Sequence, residues 1–190
     1  MKLKTIICIA LTTAVCLQLT AAPKMTKPSI KSDLVLNDQT QLEDAVMKLL
    51  PKGSKLVHGI TEGIFGPADG SKGSNINVVY STKNKTPEIM VLTPIERGKY
   101  KKIKSETLNF GGKNTVEVLS VFFAQADKDS ARELFVLCNV TGKKDSGYQT
   151  AVFDWTGKDF KRMQKIESKI KGIYPSINVK RALPEISGKK

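Results

Sequence analysis

Histidine occurs once in this chain, at His58, and tryptophan once, at Trp155. A single imidazole cannot furnish a histidine-based zinc site, and neither H-E-x-x-H nor G-x-S-x-G occurs. Nor does any G-x-x-x-x-G-K-[ST] run appear, so the glycine-rich stretch 61–75 lacks the spacing that cradles phosphate. Cysteine is scarce too: Cys8, Cys16 and Cys138. The first two lie in an N-terminal segment with the marks of a leader. Once that leader is removed, no intramolecular disulfide and no tetrahedral cysteine site can form. Carboxylates are also few: 18 Asp and Glu stand against 31 Lys and Arg, for a formal charge of +13.

The leader begins with the basic Met1-Lys2-Leu3-Lys4 and continues with an apolar run from Ile6 to Leu19. That run has secretory length and is broken by Thr and Gln, which argues against a permanent span. The reading is a signal peptide over 1–21, a flexible polar lead-in over 22–39, one α+β domain over 40–186 and a loose tail over 187–190. A secreted or periplasmic protein follows, with no transmembrane span after cleavage. Lipidation at Cys16 is the second reading, disfavoured because Val15 precedes it where a small residue is wanted.

Hydrophobic periodicity supplies the fold class. Leu42, Val46, Leu49 and Leu50 make one stripe of a helix over 41–50, with Asp38 or Thr40 as its cap and Pro51-Lys52-Gly53 as its stop. Residues 55–60 read as a strand carrying His58, and 61–75 as a long surface loop. Strands follow over 75–80, 88–93 and 100–108. The densest apolar region is Val116–Phe123 and Glu133–Val140, oily on both faces, then a strand with Ala151, Phe153 and Trp155 on one side. Thr156-Gly157-Lys158-Asp159 turns that strand into Phe160-Lys161-Arg162. Ile166, Ile170 and Ile173 mark a helix, and a final short helix is expected over 177–183. The sum is an α+β domain with a mainly antiparallel sheet of about six to eight strands, an N-terminal helix and one or two C-terminal helices.

Between the two apolar strands runs Gln125-Ala126-Asp127-Lys128-Asp129-Ser130-Ala131-Arg132-Glu133-Leu134. Alternating carboxylates on a tight loop can converge on Ca2+, which takes six to eight oxygen ligands. The same residues also suit an Asx turn, in which Asp127 and Asp129 accept bonds from nearby backbone N–H groups. The run resembles the D-x-D-x-D-G-x-x-[DE]-L loop of FG-GAP (integrin-type) repeats, a family of β-propeller blades. The resemblance implies Ca2+ ligation by Asp127, Asp129 and Glu133, while Gln125 stands where the family has its first Asp and Ser130 where it has Gly. An upstream echo reads either as a repeat or as a chance likeness of two amphipathic hairpins. Glu88-Ile89-Met90-Val91-Leu92 parallels Glu133-Leu134-Phe135-Val136-Leu137 at a spacing of 45 residues, within the ~40–50 of propeller blades. The upstream turn, Thr82–Thr86, has no carboxylate.

Basic charge suggests anionic partners. Lys99, Lys101, Lys102 and Lys104 lie along one strand, and Lys161, Arg162, Lys165 and Lys169 on the last hairpin and the following helix. These form a candidate polyanion-binding set. Export and the absence of an aromatic-interleaved RNA motif argue against nucleic acid. The expected function is therefore an exported, non-enzymatic binding or envelope-associated module. Its partner is left open between an envelope protein and an anionic polymer, and no cofactor is expected, Ca2+ on the acidic loop being the alternative to a purely structural turn. The rival reading is a small hydrolase in which His58 meets a nucleophile.

Overall fold

The computed structural model describes residues 33–36, 41–67, 70–83, 85–143, 146–186 and 188. The expected leader with Cys8 and Cys16, most of the lead-in, the caps Asp38 and Thr40, and nearly all of the tail lie outside the described residues. The fold class is α+β with mainly antiparallel pairing, as the periodicity requires. Six strands of eight to eleven residues carry it: β4 (Asn75–Thr82), β5 (Glu88–Glu96), β6 (Lys99–Thr107), β7 (Asn114–Ala124), β8 (Glu133–Gly142) and β9 (Gly147–Trp155). Four three-residue strands complete the sheets: β1 (Asp33–Val35), β2 (Ser54–Leu56), β3 (Thr61–Gly63) and β10 (Phe160–Arg162). The helices are α1 (Leu42–Met47), α2 (Gln164–Lys169) and α3 (Ser176–Ile186).

The strands divide into two sheets. One runs β1-β6-β5-β4-β2, with β3 also on β4; the other runs β10-β9-β8-β7. Three apolar clusters show how they stack. Ile89, Val91 and Val79 meet Leu134, Val136, Ala151 and Phe153 between the sheets. Met90, Leu92, Ile76 and Val78 face the other way, onto Ala45, Val46 and Leu50 around α1. Phe135, Leu137 and Val152 face outward onto Ile170, Val179 and Leu183 of the C-terminal helices. The molecule is thus four-layered: helix, sheet, sheet, helices. This explains sequence that is apolar on both strand faces, because successive side chains of β5 and β8 enter different cores.

The echoed segments occupy equivalent places. Glu88 and Glu133 each open the second strand of a hairpin, opposite Tyr80 and Ala124. Ile89 and Leu134 are matching residues, and both point into the shared inter-sheet core. Here the matching faces look at each other.

Several expectations need correction. Residues 33–35, expected in the flexible lead-in, pair with β6, and Leu34 is buried. The expected strand over 55–60 is split: its apolar residues flank a bend, so His58 sits between β2 and β3 rather than in a strand. The loop expected over 61–75 contains β3, a 3-10 turn at Gly70–Lys72 and the wholly buried Phe65. Phe65 stacks on Phe123 at 5.8 Å and meets Phe160 edge-on. β7 is an edge strand, and most of its apolar side chains are only half-buried. α1, at Leu42–Met47, is shorter than the helix expected over 41–50, and its N-cap Gln41 makes no side-chain cap bond, while α3 runs from Ser176 to Ile186, longer than expected. No helix among the described residues is long and apolar enough to cross a membrane.

Candidate functional site

The β7–β8 connection carries the densest carboxylate chemistry. Asp127 Oδ1 accepts from the Asp129 N–H at 2.9 Å, and Asp129 Oδ1 accepts from the Ala131 N–H at 2.8 Å. These are two successive Asx turns, one of the two arrangements the sequence allows. Gln125, in the place of a first carboxylate, closes the loop by donating its side-chain amide to the Asp129 carbonyl. The loop is held from the side by residues 64–67. Gly66 donates its N–H to the Arg132 carbonyl at 2.9 Å. It does so at φ +63 and so close to β9 that a Cβ would lie 2.3 Å from the Trp155 carbonyl oxygen. Only glycine satisfies both conditions.

Glu133 is not accounted for by the turns. It is wholly enclosed at 0 % exposure. One carboxylate oxygen, Oε2, accepts from the Ala126 N–H. The other, Oε1, is buried with no hydrogen-bond partner. One ligand atom from each of Asp127, Asp129 and Glu133 lies within 4.8 Å of the others. Burial pushes the Glu133 carboxyl up to about 7, against the Ala126 bond, with Asp127 and Asp129 adding repulsion. A fourth carboxylate feels the same field. Asp154 on β9 is raised first by burial, then by Asp127 and Asp129, while Lys161 works the other way. Sequence reading missed Asp154, whose only signal is its place opposite Lys161 in the β9–β10 hairpin.

The three residues singled out as a metal set are therefore brought together, and the set is anionic, partly desolvated and short of a donor. A divalent cation fits this chemistry: it would supply the positive charge that three clustered carboxylates lack and give the desolvated Glu133 carboxylate a partner.

The basic residues are placed differently. Lys99, Lys101, Lys102 and Lys104 are all on β6, although the Lys104 side chain lies outside the described residues. Lys161, Arg162, Lys165 and Lys169 belong to β10 and α2, beside the other sheet. Lys99 is paired with Glu96 at 2.6 Å and Lys161 with Asp159 at 3.1 Å. Lys169 donates to the Ile186 carbonyl. Arg162 is a structural clamp: its guanidinium binds Glu167 at 2.7 Å, donates to the Asn109 carbonyl and lies over the Phe110 ring. A cation engaged on three sides is poorly placed to take up a polymer.

His58 bonds its neighbour's Gly59 carbonyl through Nδ1 at 2.8 Å. The open cleft beside it is lined by Leu42, Glu43, Leu56, Val57, Gly59 and Ile60, with neither hydroxyl nor thiol. Cys138 is enclosed between the sheets, where burial drives its thiol up to about 12. It is no thiolate at physiological pH.

Fold and loop together define a four-layer, two-sheet α+β domain with a carboxylate loop at the mouth of its second hairpin. No protein-family model, curated protein or solved structure matches this chain.

Proposed function

We propose that the chain is an exported, non-enzymatic binding module that takes Ca2+ on its β7–β8 loop through Asp127, Asp129 and Glu133. The observation that carries the reading is the fully buried Glu133 carboxylate, one oxygen of which has no partner, gathered with two other carboxylates. A buried polar atom without a partner destabilises a fold unless something outside the chain satisfies it. The likeness of the loop to FG-GAP repeats points the same way. Asp154 is near enough to add charge to the site without being needed as a ligand. In this reading Ca2+ neutralises the loop and fixes its shape, and the exposed rim of the loop becomes a surface for a partner in the envelope.

The test is thermal unfolding with millimolar Ca2+ and with chelator, repeated across pH. Ca2+ must displace the proton held by Glu133, so apparent affinity weakens about tenfold per pH unit below about 7 and levels off above it. At a free concentration one hundred times the dissociation constant, the ion contributes about 2.7 kcal/mol. An unfolding temperature indifferent to Ca2+ at pH 8 sinks the reading.

A further inference from the structure

A second feature lies on the opposite side of β9. The strand alternates: Phe153 and Ala151 bond to β8, whereas Val152 turns both backbone groups outward. The Val152 N–H is taken by Glu167 Oε1 at 2.9 Å, and its carbonyl by the Met163 N–H at 2.8 Å. Four residues back, the Tyr148 carbonyl is taken by the Gly172 N–H at 2.7 Å. The same alternation turns the N–H and C=O of Thr150 outward between these two. There β10 has ended, and α2 stands off far enough to leave a cleft of about 320 Å³.

Thr150 and Gln149 both line this cleft and are at least nine-tenths buried. The Thr150 hydroxyl and the Gln149 side-chain amide nitrogen have no hydrogen-bond partner. Buried donors are normally satisfied, so two adjacent unsatisfied ones at a strand edge indicate a missing ligand group. The lining also holds Arg162, Lys171 and Glu167, a net positive set. Arg162 is fixed by Glu167 and Asn109, so the wall is rigid before anything binds. Most groups awaiting a partner are donors, while the outward carbonyl of Thr150 is an acceptor.

We propose that this cleft binds the C-terminal residue of an extended peptide. The peptide's terminal carboxylate sits at the strand edge and accepts from the Thr150 N–H, with the Gln149 amide approaching from one face of β9 and the Thr150 hydroxyl from the other, and its last amide N–H donates to the Thr150 carbonyl. The ligand extends the edge of β9 by one residue in the gap left between β10 and the chain after α2. Strand-edge pairing combined with carboxylate capture is an established way of reading peptide ends. The volume lies at the small end of ligand sites, suited to one or two residues. The proposal does not depend on calcium.

The test is a titration of the isotopically labelled chain, followed by NMR, with N-acetyl-trialanine as the free acid, the same peptide as its C-terminal amide, and acetate. The free acid is expected to shift the Thr150 backbone N–H and the Gln149 side-chain amide, with affinity at least tenfold above that of either control. Thr150→Val and Gln149→Leu each remove an unsatisfied buried group. Both variants are expected to keep their unfolding temperature and to lose at least tenfold in affinity. Equal response to acid and amide, equal response to acetate, no response at millimolar peptide, or binding untouched in both variants overturns the proposal.

Discussion

The hairpins β4–β5 and β7–β8 start their second strands alike, with a glutamate followed by four apolar residues that alternate between two cores. The glutamates meet opposite fates. Glu88 is half-buried and accepts from the Tyr80 hydroxyl at 2.8 Å across the ladder. That contact, together with burial, raises the Tyr80 phenol above its ordinary value, burial being the larger cause. Glu133 faces Ala124, which has no side-chain donor, and the loop before it folds over the carboxylate with two more carboxylates. One scaffold therefore yields a carboxyl group with its hydrogen bond made at one end and a buried one with an unpartnered oxygen at the other. The connecting loop and the residue across the ladder decide which.

Matched substitutions in the two hairpins break or sharpen that contrast. The largest losses should come from the outward-facing core positions two residues after each glutamate. Phe135→Ala is expected to cost about 4 kcal/mol and Met90→Ala about 3 kcal/mol in urea unfolding. Phe135 is the costlier because it also stacks on Phe122 at 5.0 Å. Equal losses would mean that the two cores are packed alike despite their different helices.

Next comes an expected gain. The folded-state pKa of Glu133 lies above its unfolded value, so the native state holds a proton that the unfolded state releases. Without calcium, stability falls as pH rises from about 4.5 to about 7 and is constant beyond, by on the order of 3 kcal/mol in all. Glu133→Gln removes that dependence. The variant should be more stable than the parent at pH 8 by on the order of 2 kcal/mol and should ignore Ca2+. Glu88→Gln should stay within about 0.5 kcal/mol of the parent and leave the calcium response intact. A destabilised Glu133→Gln protein would show that the buried charge is satisfied after all.

Smaller effects belong to the turns and the ladder. Asp129→Ala loses the bond to the Ala131 N–H and should cost about 1 kcal/mol without metal, together with the calcium response. Tyr80→Phe should cost about 1 kcal/mol or less and leave calcium binding unchanged, since Glu88 has access to water. The calcium shift of each variant in a melting assay separates the two hairpins.

Much of this arrangement was legible from residue order. The period-two pattern located the six long strands, and the stripe of Ile166, Ile170 and Ile173 marked the helical cover that packs on the second sheet. Asp127, Asp129 and Glu133 were near neighbours in sequence, so a tight loop was bound to gather them. Phe65 was not legible, because an aromatic residue among glycines reads as loop until Phe123 and Phe160, far along the chain, arrive to enclose it. His58 was misplaced because a run of apolar residues does not reveal where the backbone bends between two short strands.

Local chemistry, then, was set by the order of residues: which segments pair, which faces are oily, which loop collects negative charge. Those properties depend on spacing over a few residues, and spacing is written in the chain. Whether a carboxylate is left dry, or a strand edge left open, depends on what distant segments bring alongside it. Glu88 and Glu133 look alike in the chain and differ only in their surroundings. Thr150 lies in the open gap because β10 stops after Arg162 and α2 stands clear. Desolvation and hydrogen-bond satisfaction are properties of the packed whole, so the tertiary structure alone decided which buried polar groups are left without a partner.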